Sequence, residues 1–321
     1  MGSRSKPSGP LFRALQILVL AAVAFFLGRY LYRLDWTRFW KELSGASPGG
    51  LVLSMGLTVL GGLLVAWGWS FILRSLGSFV PHRAAVRIYF LSEMAKYIPG
   101  KIWTAVGRAV MLEKWSVPKT VTVSTVGIML IVLAASGVVV ALLSLPFWPS
   151  LDAAGISTGF FPVLFLLLPA ALILLHPRVF DPVLNWFLRR IERVDAPVHL
   201  HYGRTVLLVL YWTGLWLIKG LATWILLAAI FPLPRVPPLP WLSLSGVMAV
   251  SWIVGVVSPF TPAGLGIAEL TIALLLPALF GLDASSSAVF AFLCRIWAVI
   301  ADLICVGLSA VIGSRRVGGG R

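Results

Sequence analysis

Six stretches of this chain, roughly residues 14–32, 50–73, 119–144, 158–175, 204–231 and 286–312, are apolar over the length a helix needs to cross a bilayer. Such a span takes about 20 residues. Inside hydrocarbon its backbone polar groups must be satisfied internally, which a helix does. Charged residues make up 12% of the chain and the mean hydropathy is +0.97, against about 25% charge in soluble domains. The expected fold class is therefore all-α integral membrane, a polytopic helical bundle of about six full spans. One transmembrane domain is expected over 14–312, between an N-terminal tail, 1–13, and a C-terminal tail, 313–321. The first run continues through Phe25-Phe26-Leu27-Gly28 with no small-residue cleavage pattern, so it reads as a retained anchor rather than a signal peptide.

Two further segments, roughly 84–113 and 241–281, are apolar but interrupted. The first holds Tyr97-Ile98-Pro99-Gly100-Lys101, the second Pro259-Phe260-Thr261-Pro262-Ala263-Gly264-Leu265-Gly266. Proline lacks the amide donor and clashes with the preceding turn, so neither segment runs on as a straight helix. In lipid the freed backbone groups must face protein or a wet cavity. A pair of such breaks, one in each half, points to a transporter-like site between two broken, re-entrant hairpins, in an inverted repeat. Two ordinary spans joined at Pro259–Gly264 remain the alternative for the second segment.

The formal net charge of +15 is a matter of orientation here and not of nucleic acid. Lys and Arg concentrate in both tails and in the loops near 74–87, 113–119 and 176–205, and are sparse in 33–49, 145–157, 232–240 and 282–286. The positive-inside rule then puts both termini in the cytoplasm, in a plasma-membrane protein. On that assignment the first broken segment enters from the cytoplasm and the second from outside. The loop Asp181–Val194 reads as an amphipathic helix, with Val183, Leu184, Phe187, Leu188 and Ile191 on one face, resting on an anionic lipid surface.

Ionisable residues inside the membrane segments are Glu93, Lys96, Lys101, Arg108, Lys219, Glu269, Arg295 and Asp302. Each costs at least ~2–3 kcal/mol in lipid unless paired or hydrated. Arg295 and Asp302 are seven apart, too far for a direct pair on one helix. Each therefore needs a partner from another segment, and Glu269 with Arg108 or Arg295 is the expected pairing. Lys219 can either snorkel or pair. The competing reading is a set of ionic clamps that never meet substrate. A short helix starting after Pro99-Gly100, or around Pro262–Gly266, would aim its amide groups into the membrane and favour an anion. Thr261 before Pro262 fits an N-cap with proline at the first helical position. Gly264 and Gly266 permit close backbone approach. The expected translocation site comprises Glu93, Lys96, Pro99, Gly100, Lys101, Arg108, Thr261, Pro262, Gly264, Gly266, Glu269, Arg295 and Asp302.

Tyr97-Ile98-Pro99-Gly100-Lys101-Ile102-Trp103 with Gly107-Arg108, and the run from Pro259 to Glu269, resemble the flippase-like transmembrane family of lysylphosphatidylglycerol synthases and their standalone relatives. The resemblance implies a lipid-translocating domain, with a phospholipid or a polyprenyl-linked lipid as cargo. In the synthases this domain is fused to a soluble aminoacyl-transferase domain. Here the chain ends at Arg321, and lipid aminoacylation is not expected.

The expected function is a flippase that moves an anionic or lipid-linked headgroup between leaflets. The alternatives are a membrane-embedded lipid-modifying enzyme and a small-solute transporter or channel. An enzyme is disfavoured: Asp35 and Glu42 form no D-x-D, and His82, His176, His199 and His201 sit in loops or at span ends, away from any metal or nucleophile cluster. No cofactor is expected, and no G-x-x-x-x-G-K-[ST] loop for ATP occurs. Other expected partners are a second copy of the chain and a separate lipid- or glycan-synthesising enzyme.

Overall fold

A computed structural model describes residues 36–97, 103–148, 182, 202–257 and 266–314. Those residues form α1 (Trp36–Ser44), α2 (Pro48–Ser75), α3 (His82–Glu93), α4 (Trp103–Leu112), α5 (Lys119–Ser144), α6 (Tyr202–Ile230), α7 (Pro240–Val257), α8 (Ile267–Phe280) and α9 (Ala284–Ser314), with no strand among them. Four stretches are long and apolar enough to span a membrane: Pro48–Ser75, Lys119–Phe147, Gly203–Ile230 and Ala284–Val311. They coincide with four of the six expected runs. The runs at 14–32 and 158–175 lie outside the described residues, as do His176, His199, His201 and, apart from Pro182, the Asp181–Val194 segment.

Local chemistry explains where the long helices start and how closely they approach. The α2 N-cap is Ser47, whose hydroxyl accepts the Gly50 N–H at 3.4 Å, with proline opening the first turn. α2 then runs antiparallel to α6. Gly50 meets Ala229, Ser54 donates to the Ala222 carbonyl at 2.8 Å, and Gly61 and Gly68 meet Ile218 and Trp212. A Cβ on Gly68 would stand 2.7 Å from the Trp212 ring, so this crossing depends on the missing side chain. α5 lies parallel to α6, with the Trp216 indole donating to the Leu133 carbonyl at 3.3 Å. α9 lies parallel to α2, with the Trp297 indole on Ser54 Oγ at 3.1 Å and Cys305 Sγ near the Val59 carbonyl at 3.7 Å. Both cysteines are free thiols.

These contacts define two ends of the bundle. One end holds the C-terminus of α2 and the N-termini of α5 and α6. The other holds the N-termini of α2 and α9 and the C-terminus of α6. α3 and α4 form a hairpin that enters and leaves at the first end. His82 Nδ1 sits 2.6 Å from Ser70 Oγ near the end of α2, and Phe90 reaches Gly62 near its middle. With 12 and 10 residues, α3 and α4 are ~18 and ~15 Å long, about half the ~30 Å hydrocarbon thickness.

The second hairpin, α7 and α8, enters and leaves at the opposite end. There the Arg235 N–H donates to the Phe280 carbonyl at 3.1 Å, holding the end of α8 beside the loop that follows α6. α7 has 18 residues and α8 only 14, or ~21 Å for the latter, shorter than the ~30 Å hydrocarbon thickness. Opposite access in the two halves is what the charge pattern predicts.

The interior divides the same way. One buried cluster gathers Trp69, Tyr89, Phe90, Leu112, Ile128 and Trp212 around the first hairpin. The other gathers Leu226, Leu244, Leu276, Phe280, Phe290 and Leu293 around the second. α5, α6 and α9 contribute to both clusters and tie them together.

Candidate functional site

Both hairpins reach the same face of α9, and they do so through charge. From the first hairpin, the Lys96 ammonium meets Asp302 at 2.7 Å and Glu93 at 3.9 Å. From the second, Glu269 Oε1 accepts from Arg295 Nε at 2.5 Å. Arg295 and Asp302 bracket the midpoint of α9, which runs from residue 284 to 314. The expectation that each finds its partner on another segment is met, and Glu269 pairs with Arg295 rather than with Arg108.

Arg108 occupies a different setting. It is 2% exposed, among the most enclosed side chains described. Its Nη2 bonds Glu93 at 2.8 Å and its Nε donates to Ser92 Oγ at 3.2 Å. The guanidinium lies 4.5 Å from the Tyr89 ring centroid and 4.9 Å from that of Trp69. A planar cation suits stacking and a fork of donors at once. Arg108 thus holds α4 against α3 from inside the hairpin, and Glu93 passes the linkage on to Lys96.

At the second tip α8 begins at Ile267 with Gly266 as its N-cap, at the end of the Pro262–Gly266 stretch where a helix start is expected. Gly266 has φ 84°, open to glycine at no steric cost. Its N–H donates to Glu269 Oε2 at 2.7 Å, so the Glu269 carboxylate makes the glutamate half of a capping box while its other oxygen takes Arg295. A carboxylate in the first turn also suits the helix dipole. Thr261, Pro262, Gly264, Pro99, Gly100 and Lys101 lie outside the described residues. Of the remaining expected site residues, the structure joins Glu93, Lys96, Arg108 and Asp302 in one network, and Gly266, Glu269 and Arg295 in another.

Sequence reasoning missed the aromatic and hydroxyl lining of Arg108: Trp69, Tyr89 and Ser92. In runs this rich in aromatics, no local signal separates a ring that stacks on a cation from a ring that packs.

The Lysylphosphatidylglycerol synthase TM region family profile matches residues 13–305. A search among curated proteins returned no significant match. An all-helical membrane bundle, two interrupted hairpins meeting charged positions on one helix, and a match over nearly the whole chain agree with one another. The chain belongs to the lysylphosphatidylglycerol synthase TM region family and is an integral membrane protein of lipid biology.

Proposed function

We propose that this protein is a lipid flippase. It would carry an anionic or lipid-linked headgroup, its phosphate foremost, between leaflets while the lipid tails stay in the bilayer. The observation that carries the reading is the convergence of both hairpins on α9: Lys96 on Asp302, and Glu269 on Arg295. These two links sit seven residues apart on one helix, each joined to a hairpin that opens to a different end of the bundle. Breaking one link frees one hairpin to move while the other stays tied. That is the requirement for alternating access, and the hairpins would form an inverted repeat.

In this reading Lys96, Glu93, Asp302, Glu269 and Arg295 border the path. Arg108 is a positioning residue that keeps the first hairpin closed on itself. Glu93, Glu269 and Asp302 are the carriers on which a proton or ion gradient would act, unless movement is downhill. No bond is made or broken, so no catalytic residue is assigned. Both termini would be cytoplasmic, and the basic cytoplasmic loops would rest on anionic lipid. The lipid would come from a separate lipid- or glycan-synthesising enzyme.

The test is a leaflet-resolved assay in proteoliposomes with fluorescent phosphatidylglycerol and phosphatidylcholine. The wild type should move phosphatidylglycerol faster than protein-free vesicles do. Asp302→Asn and Glu269→Gln, each checked for folding, should lose most of that rate. Wild-type rates from both folded variants, or no movement of any lipid by the wild type, would sink the reading.

A further inference from the structure

Membrane-interior charges among the described residues do not balance. The anions are Glu93, Glu269 and Asp302; the cations are Lys96, Arg108, Lys219 and Arg295. Three of the cations are joined to those three anions. Lys219 makes no ion pair among the described residues. The contact drawn by its ammonium is the Trp216 ring on its own helix, 5.2 Å to the centroid.

Lys219 does not escape to lipid. It is exposed, yet it stands about 180° around α6 from Leu210 and about 160° from Leu221, by helical periodicity. Those two leucines and Leu207, about 120° from Lys219, are the exposed leucines of α6, at 63%, 37% and 57%. Its height follows from α2: Ile218 meets Gly61 and Ala222 meets Ser54, while Ser54 and Val59 receive Trp297 and Cys305. Lys219 is therefore level with α9 between Trp297 and Cys305, near the bilayer midpoint and too deep to snorkel. The groups within its electrostatic reach are Cys294, Lys96, Arg295 and Asp302. It opens on the side of α6 between Ile218, which meets Gly61 of α2, and Gly220, which meets Ser245 of α7.

An uncompensated ammonium at this depth costs free energy that a hydrated or ion-paired one does not. A mobile anion that reaches Lys219 supplies the missing charge. We propose that the Lys219 ammonium receives the phosphate of a lipid headgroup at mid-membrane. This deepens the transport reading, on which it rests for the source of the phosphate but not for the binding itself. Lys96 and Arg295, each already engaged by a carboxylate, would turn toward the same phosphate as it arrives, which loosens the links to α9. Occupancy at Lys219 would thereby be coupled to hairpin release.

The experiment follows the melting of the full-length protein in detergent as three probes are titrated: dioctanoyl-phosphatidylglycerol, neutral dioctanoylglycerol and inorganic phosphate. The wild type should be stabilised by the phospholipid and not by the neutral lipid. Lys219→Met should need roughly tenfold more phospholipid for the same shift, the usual scale for losing a charge-assisted contact. Lys219→Arg should keep most of the response. Without ligand, Lys219→Met should melt no lower than wild type, since it removes an unpaired charge. A wild-type phospholipid shift in Lys219→Met, or failure of that variant to fold, overturns the proposal. An equal Lys219-dependent shift with inorganic phosphate overturns the lipid as source. A Lys219-dependent phospholipid shift in a protein that flips nothing supports the site and removes the transport reading alone.

Discussion

The two hairpins solve one problem, a broken helix inside a membrane, by different means. The first is locked by a side chain: Arg108, enclosed by Trp69, Tyr89 and Ser92 and paired with Glu93, joins α3 to α4. The second is locked by its backbone: Gly266 and Glu269 close the start of α8, and the same carboxylate takes Arg295. In the first, the stabilising charge lies inside the hairpin and a separate residue, Lys96, reaches α9. In the second, one residue does both tasks. The first hairpin can therefore release α9 and keep its own shape, whereas release of the second disturbs its cap.

Arg108→Met breaks this comparison most severely. It leaves Glu93 with only the longer Lys96 contact and empties a cation site within a packed cluster, and removal of one partner from a buried pair costs up to about 3–5 kcal/mol. Thermal unfolding should show the largest loss of any single change in the first hairpin. Arg108→Lys should recover only part of it, because an ammonium cannot fork to Ser92 and Glu93 while stacking on two rings. Equal stability of Arg108→Lys and wild type would show that charge alone holds the hairpin.

Glycine packing sharpens the contrast at a smaller scale. A Cβ on Gly220 of α6 would fall 2.6 Å from the Ser245 backbone of α7, whereas one on Gly107 of α4 would find Ser92 at 3.5 Å, an ordinary contact. Gly220→Ala should cost about 1–3 kcal/mol through overpacking. Gly107→Ala should be neutral or gain up to about 1 kcal/mol of helix propensity. The second hairpin is seated by close backbone approach and the first is not. Melting curves of the two variants side by side decide it.

How much of this could be read from the residues follows from what each element depends on. Helical spans at 50–73, 119–144, 204–231 and 286–312 were legible because hydrocarbon imposes both length and composition. Opposite access of the hairpins was legible from the loop charges around Arg83, Arg87 and Arg235. The need of Arg295 and Asp302 for partners on other segments was legible from their spacing. Partner choice was not, because Arg108 and Arg295 look alike to Glu269 until the bundle sets which tip faces α9. Lys219 was ambiguous for the same reason: a single lysine in an apolar run does not say which side of its helix is lined by protein.

Glu269 offers a finer separation of cap from ion pair. Glu269→Gln keeps an oxygen that can accept the Gly266 N–H but gives up the charge facing Arg295, whereas Glu269→Ala loses both. The alanine variant should lose about 0.5–2 kcal/mol for the cap, on top of losing the Glu269–Arg295 link. Hydrogen exchange should show the first turn of α8 fraying in Glu269→Ala and protected in Glu269→Gln. Equal fraying in both, beyond that of wild type, would mean that the cap contributes nothing and that the second hairpin, like the first, is held by charge.

The smallest expected effect lies where the first hairpin leaves the end of α2. His82, at the start of α3, is bonded to Ser70 and has its pKa lowered below the ordinary 6.5, first by partial desolvation and then by the positive charge of Arg74. A base whose folded pKa is depressed binds fewer protons folded than unfolded between the two values. Stability contributed here is full above pH 6.5 and falls as the pH drops from 6.5 through the folded pKa. Protection factors in α3 should therefore decline modestly between pH 7.5 and 5.5, while those in α7, which carries no histidine, stay level. His82→Asn should flatten the α3 profile and leave α7 unchanged. A matching acid response in both hairpins would place the sensitive group in the shared helices, and the difference between the two hairpins would then not extend to their outer ends.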